Sequence, residues 1–203
     1  MASDSHLRCD TATRHTSQQE CMNNNIMIIR HAEKPIAGRT EGVRVRGDVD
    51  ESSLTARGWQ RAGALVAFFS NPTSPQLSRP DRTIAVRFDL GVTSSSRRSR
   101  QTLRPLSEKL GLVCDQRFGE GQEELLVAAV QRLRGTTLIA WSHGHIPKIA
   151  TMLAPGLSVP AEWPEDRFDL VWVIDRSGRK TTFTQVAQQL LAGDEAETAP
   201  VLA

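Results

Sequence analysis

The chain is expected to fold as an α/β protein, a three-layer α/β/α sandwich with a mostly parallel central sheet. Two observations point there. Short apolar runs too brief for helices alternate with stretches whose apolar residues recur at spacings of three and four. Two of those runs are apolar on both faces, as strands covered by helices on either side must be. The length of 203 residues, with 39% hydrophobic and 24% charged residues, suits one globular domain.

The elements follow in order. Residues 1–24 are rich in Ser, Thr, Gln, Asn and His and poor in large apolar side chains, so they are expected to form a flexible N-terminal tail. The domain is expected to span residues 25–194, with 195–203 as a flexible C-terminal tail. Ile26-Met27-Ile28-Ile29 is the first strand. Thr55 is an N-cap for a helix carrying Trp59, Ala62, Val66 and Phe69. Residues 71–82 hold Pro72, Pro75 and Pro80 and are a loop.

Thr83–Val86 is a weaker strand, followed by an irregular stretch to Ser96 and a helix with Leu103, Leu106 and Leu110, which Gly111 ends. Leu125, Leu126, Val130 and Leu133 predict a helix that stops before Gly135, and Thr137–Trp141 a buried strand. Pro147 suits the first turn of a helix whose apolar stripe is Ile146, Ile149, Ala150 and Leu153. Leu170–Ile174 and Lys180–Phe183 read as strands around the turn Asp175-Arg176-Ser177-Gly178.

Composition excludes several functions. A net charge of +2 gives no reason to expect a nucleic-acid partner. Cys9, Cys21 and Cys114 stand in no paired spacing, which argues against a disulfide framework or a zinc ribbon and for a reducing, cytoplasmic setting. No run approaches the roughly 20 apolar residues of a membrane span, and the first two dozen residues lack the apolar block of a signal peptide. Oligomeric state is left open.

The chemistry is concentrated in two segments of one design, an apolar strand followed at once by a histidine: Ile26–His31, and Leu138-Ile139-Ala140-Trp141-Ser142-His143-Gly144. Ligands bind at the C-terminal edge of parallel strands, so parallel neighbours would bring both histidines to one edge. A neutral imidazole can attack phosphorus, and adjacent arginines can grip the equatorial oxygens, so the pattern suits phosphoryl transfer. A metal held by His143-x-His145 would need a third ligand that the sequence does not offer nearby, and no metal is expected. Arg97 and Arg100 are expected to be surface residues. Trp141, Trp163 and Trp172 are expected in the core or lining a pocket.

Four segments in order resemble the histidine phosphatase superfamily, the phosphoglycerate mutase-like enzymes. Arg30-His31-Ala32-Glu33-Lys34-Pro35 is similar to the family's Arg-His signature after the first strand. Leu54-Thr55-Ala56-Arg57-Gly58 resembles its Leu-Thr-x-x-Gly segment. In Ser94–Thr102 an arginine precedes Gln-Thr by three residues, which singles out Arg98, and Ser142-His143-Gly144 resembles the second-histidine motif.

The resemblance implies a phosphoglycerate mutase-like fold and a phosphatase acting on phosphate monoesters or phosphohistidine through a covalent phosphohistidine on His31. Arg30, Arg98 and His143 would bind the phosphate, and a carboxylic acid would protonate the leaving group. For that acid Glu123 fits by spacing, 25 residues after Arg98, with Glu120 as the alternative. A small phosphorylated substrate or a phosphoprotein is implied, and no cofactor. A mutase, or a catalytically weak protein that keeps a phosphate pocket for binding, are the competing expectations. The loops 36–52 and 158–168 are expected to wall the pocket.

Overall fold

The computed structural model describes residues 24–90, 95–177 and 180–200. Six strands form one sheet: β1 (Asn24–Arg30), β2 (Arg82–Ala85), β3 (Cys114–Asp115), β4 (Gly135–Trp141), β5 (Leu170–Asp175) and β6 (Thr182–Ala187), in the order β3-β2-β4-β1-β5-β6. The pairs β1–β4, β2–β4 and β2–β3 are parallel, whereas β5 runs antiparallel to both β1 and β6. Four helices cover it: α1 (Ala56–Ser70), α2 (Arg98–Leu110), α3 (Glu123–Val130) and α4 (Ile146–Leu153).

Alternation along the central strands builds the three layers. Met27 and Ile29 face Leu65 and Phe69 of α1 and Leu103 and Leu106 of α2. Ile26 and Ile28 face the other way, onto Leu126 and Val130 of α3 and Ile149 and Leu153 of α4. Each large apolar side chain so buried contributes roughly 1.5–3 kcal/mol. Trp141, Trp163 and Trp172 all lie in the second of these cores. No helix among the described residues is long and apolar enough to cross a membrane.

Local signals act as expected at the helix ends. The Thr55 hydroxyl accepts from the Gly58 N–H at 3.1 Å. Gly58 itself lies so close to the β1–α1 loop that a Cβ there would stand 2.7 Å from the Glu33 carbonyl oxygen. Gly111 ends α2 with φ of 68°.

Other expectations shift. The helix predicted to reach Leu133 ends at Val130, and Leu125 is 59% exposed because only Leu126, Val127 and Val130 turn toward the sheet. The strand β3 holds only Cys114 and Asp115, too few residues to carry a pattern. Residues 1–23, part of the expected tail, and Ser94 and Gly178 lie outside the described residues. Asn24 opens β1, its side-chain amide donating to the Val130 carbonyl at 3.1 Å. Residues 195–200, expected to form a tail, are tied down by polar groups that hydrophobicity does not register. Arg167 donates to the Glu195 carboxylate at 2.9 Å and to the Glu197 carbonyl at 2.9 Å, and Gln185 exchanges hydrogen bonds with the buried Ala199.

Candidate active site

Register decides where the two histidines meet. Arg30 pairs with Trp141 across the parallel strands β1 and β4, and the His31 N–H donates to the Trp141 carbonyl at 3.0 Å. The first and second strand-histidine segments therefore end side by side at one edge of the sheet. Arg98, at the start of α2, joins them through Thr102, whose hydroxyl donates to the Arg98 carbonyl and accepts from the Ala32 N–H, both at 2.8 Å.

His31 is 5% exposed, and its Nδ1 lies 2.8 Å from the Ala32 carbonyl. A carbonyl only accepts, so Nδ1 carries the proton and Nε2 keeps its lone pair. Burial, then the positive charge of Arg98, push the ring's pKa down to about 3, with Arg30 and His143 acting in the same sense against the Ala32 hydrogen bond. The imidazole is thereby held neutral at physiological pH.

Arg30 is 1% exposed. Its Nη1 donates to the backbone carbonyls of Pro164 at 3.4 Å, Arg167 at 3.2 Å and Glu165, and its guanidinium stacks on Phe168, 3.9 Å from the ring centroid. Burial lowers its pKa to about 10, still fully charged at neutral pH, with Glu165 opposing that shift and Arg98 adding to it. The opposite edge of the fork, Nε and Nη2, is buried and unpartnered, as are Arg98 Nε and His143 Nδ1. Nη1 of Arg98 donates to the Glu51 carbonyl at 3.1 Å. Burial lowers the pKa of Arg98, against Glu120, Asp50 and Glu51, and lowers that of His143 together with Arg30 and Lys34. Buried polar atoms without partners are costly, and four of them belong to three of the residues singled out in the sequence.

The two glutamates differ sharply. Glu123 is 1% exposed, and its Oε1 accepts from the Gly121 N–H at 3.0 Å, the Trp141 indole at 3.3 Å and His145 Nδ1 at 2.9 Å. Burial raises its pKa, but hydrogen bonds from its own N–H and that of Gly121, with His145 and Trp141, leave it lowered overall. A carboxylate so satisfied clamps the start of α3 to the end of β4. Glu120 is exposed, accepts from the Ser142 hydroxyl at 2.6 Å beside His143, and is the largest influence favouring charge on Arg98. His145 is held by Glu123, and among the described residues no group of three or more His, Cys, Asp or Glu is placed to hold a metal ion.

Sequence reasoning missed the buttresses. Glu33 accepts from the buried Arg61 at 2.8 Å, and Arg61 reaches Asp194 at 2.7 Å, so the loop after His31 is pinned to α1 and to the segment after β6. These charged residues lie far apart in sequence, and only Glu33 sits in a quoted motif. Beside Phe168 opens a cavity of about 670 Å³, lined among others by Lys34, Pro35, Ile36, Thr40 and Glu165. Both expected pocket-wall loops thus contribute.

No family model matches the sequence, and no curated protein matches it. Solved structures do. The protein histidine phosphatase SixA, in complex with tungstate, is 18% identical with a TM-score of 0.53, over 81% of this chain and 97% of its own. The alpha-ribazole phosphatase from Shigella flexneri is 15% identical with a TM-score of 0.53, over 84% and 99%. The product of the open reading frame Rv3214 from Mycobacterium tuberculosis is 12% identical with a TM-score of 0.51, over 82% and 97%. With the sheet order and the edge on which both histidines stand, these likenesses establish that the chain has the histidine phosphatase, phosphoglycerate mutase-like fold.

Proposed function

We propose that the protein is a phosphohydrolase acting on phosphate monoesters through a phosphohistidine on His31. The observation that carries this reading is the cradle of buried, unpartnered side-chain nitrogens on Arg30, Arg98 and His143 around a neutral, hydrogen-bond-oriented imidazole. The structurally similar SixA is complexed with tungstate, a tetrahedral oxyanion of the kind such a cradle would take.

In this mechanism His31 Nε2 attacks phosphorus in line with the leaving oxygen. The Nε–Nη2 edge of Arg30 takes two phosphoryl oxygens, and Arg98 and His143 stabilise the charge spread over the equatorial oxygens as the bonds shift. Glu120 donates a proton to the leaving alcohol, then takes one from the water that attacks the phosphohistidine and releases inorganic phosphate. Glu123, first in line by spacing, is assigned the supporting role its hydrogen bonds describe. The leaving group lodges in the cavity beside Phe168, whose volume suits a small molecule. Three cysteines in no paired spacing fit a cytoplasmic enzyme.

The test is phosphate release from a panel of phosphate esters, including sugar phosphates, nucleotides and a phosphohistidine peptide. Turnover of at least one ester, lost in Arg30→Ala, supports hydrolysis. A protein that binds tungstate at this site yet releases phosphate from none of them is a binding protein, and the proposal fails.

A further inference from the structure

A second cavity, of about 440 Å³, opens between the loop after Pro35 and the first turns of α2, and none of Arg30, His31, Arg98 or His143 lines it. Five arginines do: Arg44, Arg46, Arg97, Arg100 and Arg104, with Asp48 the only carboxylate on the lining. Neighbouring acids neutralise part of this charge. Arg44 and Arg97 share Asp50, each at 3.4 Å, and Arg104 pairs with Glu108 at 2.7 Å. Arg46 and Arg100, both exposed, make no ion pair or side-chain hydrogen bond among the described residues. Crowding like charges into one concavity is unfavourable unless an anion occupies it.

The cradle is also held in shape. Arg97 stacks on Phe88 at 4.2 Å from the ring centroid and donates to the Ser52 hydroxyl at 3.2 Å. The neighbouring Gln101 is buried, its amide fixed by the Leu54 N–H and the Ser53 hydroxyl, both at 2.9 Å. A guanidinium left without a partner on such a fixed floor presents its donors to a ligand rather than collapsing onto the surface.

We infer that this cleft is a second anion site, for a small ligand carrying two or more phosphoryl groups. Its volume is that of a small-molecule pocket. One phosphate would engage at most two or three planar forks, whereas five, spread around the cavity, match oxygens on adjacent phosphoryl groups. The inference does not rest on hydrolysis at His31.

Calorimetric titration of the full chain with sodium tripolyphosphate tests it. The wild-type protein should show two binding events, one at the His31 cradle and one here, the latter weakening steeply with added salt. Arg46→Ala/Arg100→Ala should weaken the second event about 30-fold, roughly five- to sixfold for each exposed guanidinium, and leave the first unchanged. Arg98→Gln should weaken the first and spare the second. Arg46→Glu, a single exposed change, should act in the same direction as the double variant. A single event indifferent to Arg46 and Arg100 overturns the inference, as does an acidic peptide such as hexaglutamate binding there as tightly as tripolyphosphate. Two events in a protein that hydrolyses no ester would refute the proposed catalysis and leave this site standing.

Discussion

Exchanging each glutamate for glutamine should separate catalysis from structure. Glu123 is buried and its Oε1 collects three donors, so Glu123→Gln, whose amide oxygen can take the same place, replaces charge-assisted bonds with neutral ones. Losing the charge assistance of these bonds costs roughly 1–3 kcal/mol. For a domain of this size that is a fall in Tm of about 2–12 °C. Because Glu123 anchors α3 to β4 and the proposed acid is Glu120, single-turnover rates at a temperature where the variant is folded should drop by less than about tenfold, for alkyl and aryl esters alike. Glu120 is exposed, so Glu120→Gln should leave Tm within about 1 °C. It should slow single-turnover cleavage of an alkyl phosphate by roughly 10²–10⁴, while p-nitrophenyl phosphate, whose leaving anion needs no proton, loses far less. The assays are rapid-quench phosphate release and thermal unfolding on both variants. A loss of roughly 10² or more in alkyl-ester cleavage by Glu123→Gln at unchanged Tm, with Glu120→Gln unaffected, would make Glu123 the acid instead.

Two further outcomes follow from the site's electrostatics and packing. His31 has a pKa near 3 folded and about 6.5 unfolded, so between those values the unfolded chain binds the extra proton and stability rises with pH, reaching its full value above about 6.5. From pH 7 to about 5 this group should cost the wild type about 2 kcal/mol that His31→Gln does not lose, read from urea midpoints; equal losses would contradict a buried neutral ring. Phe168→Leu removes the face on which Arg30 lies and should lower kcat/KM about 5- to 30-fold with Tm nearly unchanged, and unaltered kinetics would show that Arg30 is held by the carbonyls alone.

Much of the fold was legible because its determinants are local. Ile26–Ile29 and Thr137–Trp141 are continuous apolar runs, and Thr55, Gly111 and Pro147 mark helix boundaries by rules that act within a turn. The strand β3 was not legible, since two residues, Cys114 and Asp115, carry no periodicity and exist as a strand only because β2 offers an edge. At the site, Arg30, His31, Arg98 and His143 could be picked out by motif and by their place after strands or at a helix start. Spacing singles out Glu123 but does not show that Trp141 and His145, on β4 and just before α4, turn toward it. Phe168 and the Glu33–Arg61–Asp194 cluster were hidden for the same reason: each contact joins segments far apart in the chain.

His31 is the proposed acceptor of the phosphoryl group. Quenching the protein within milliseconds of mixing with a ³²P-labelled ester, then mapping the labelled peptide, tests it most directly. An acid-labile, alkali-stable label should appear on His31, form and decay at rates consistent with turnover, and be absent from His31→Ala, which should also release no phosphate. Turnover by His31→Ala at even a tenth of the wild-type rate, or a label on any other residue, would contradict it.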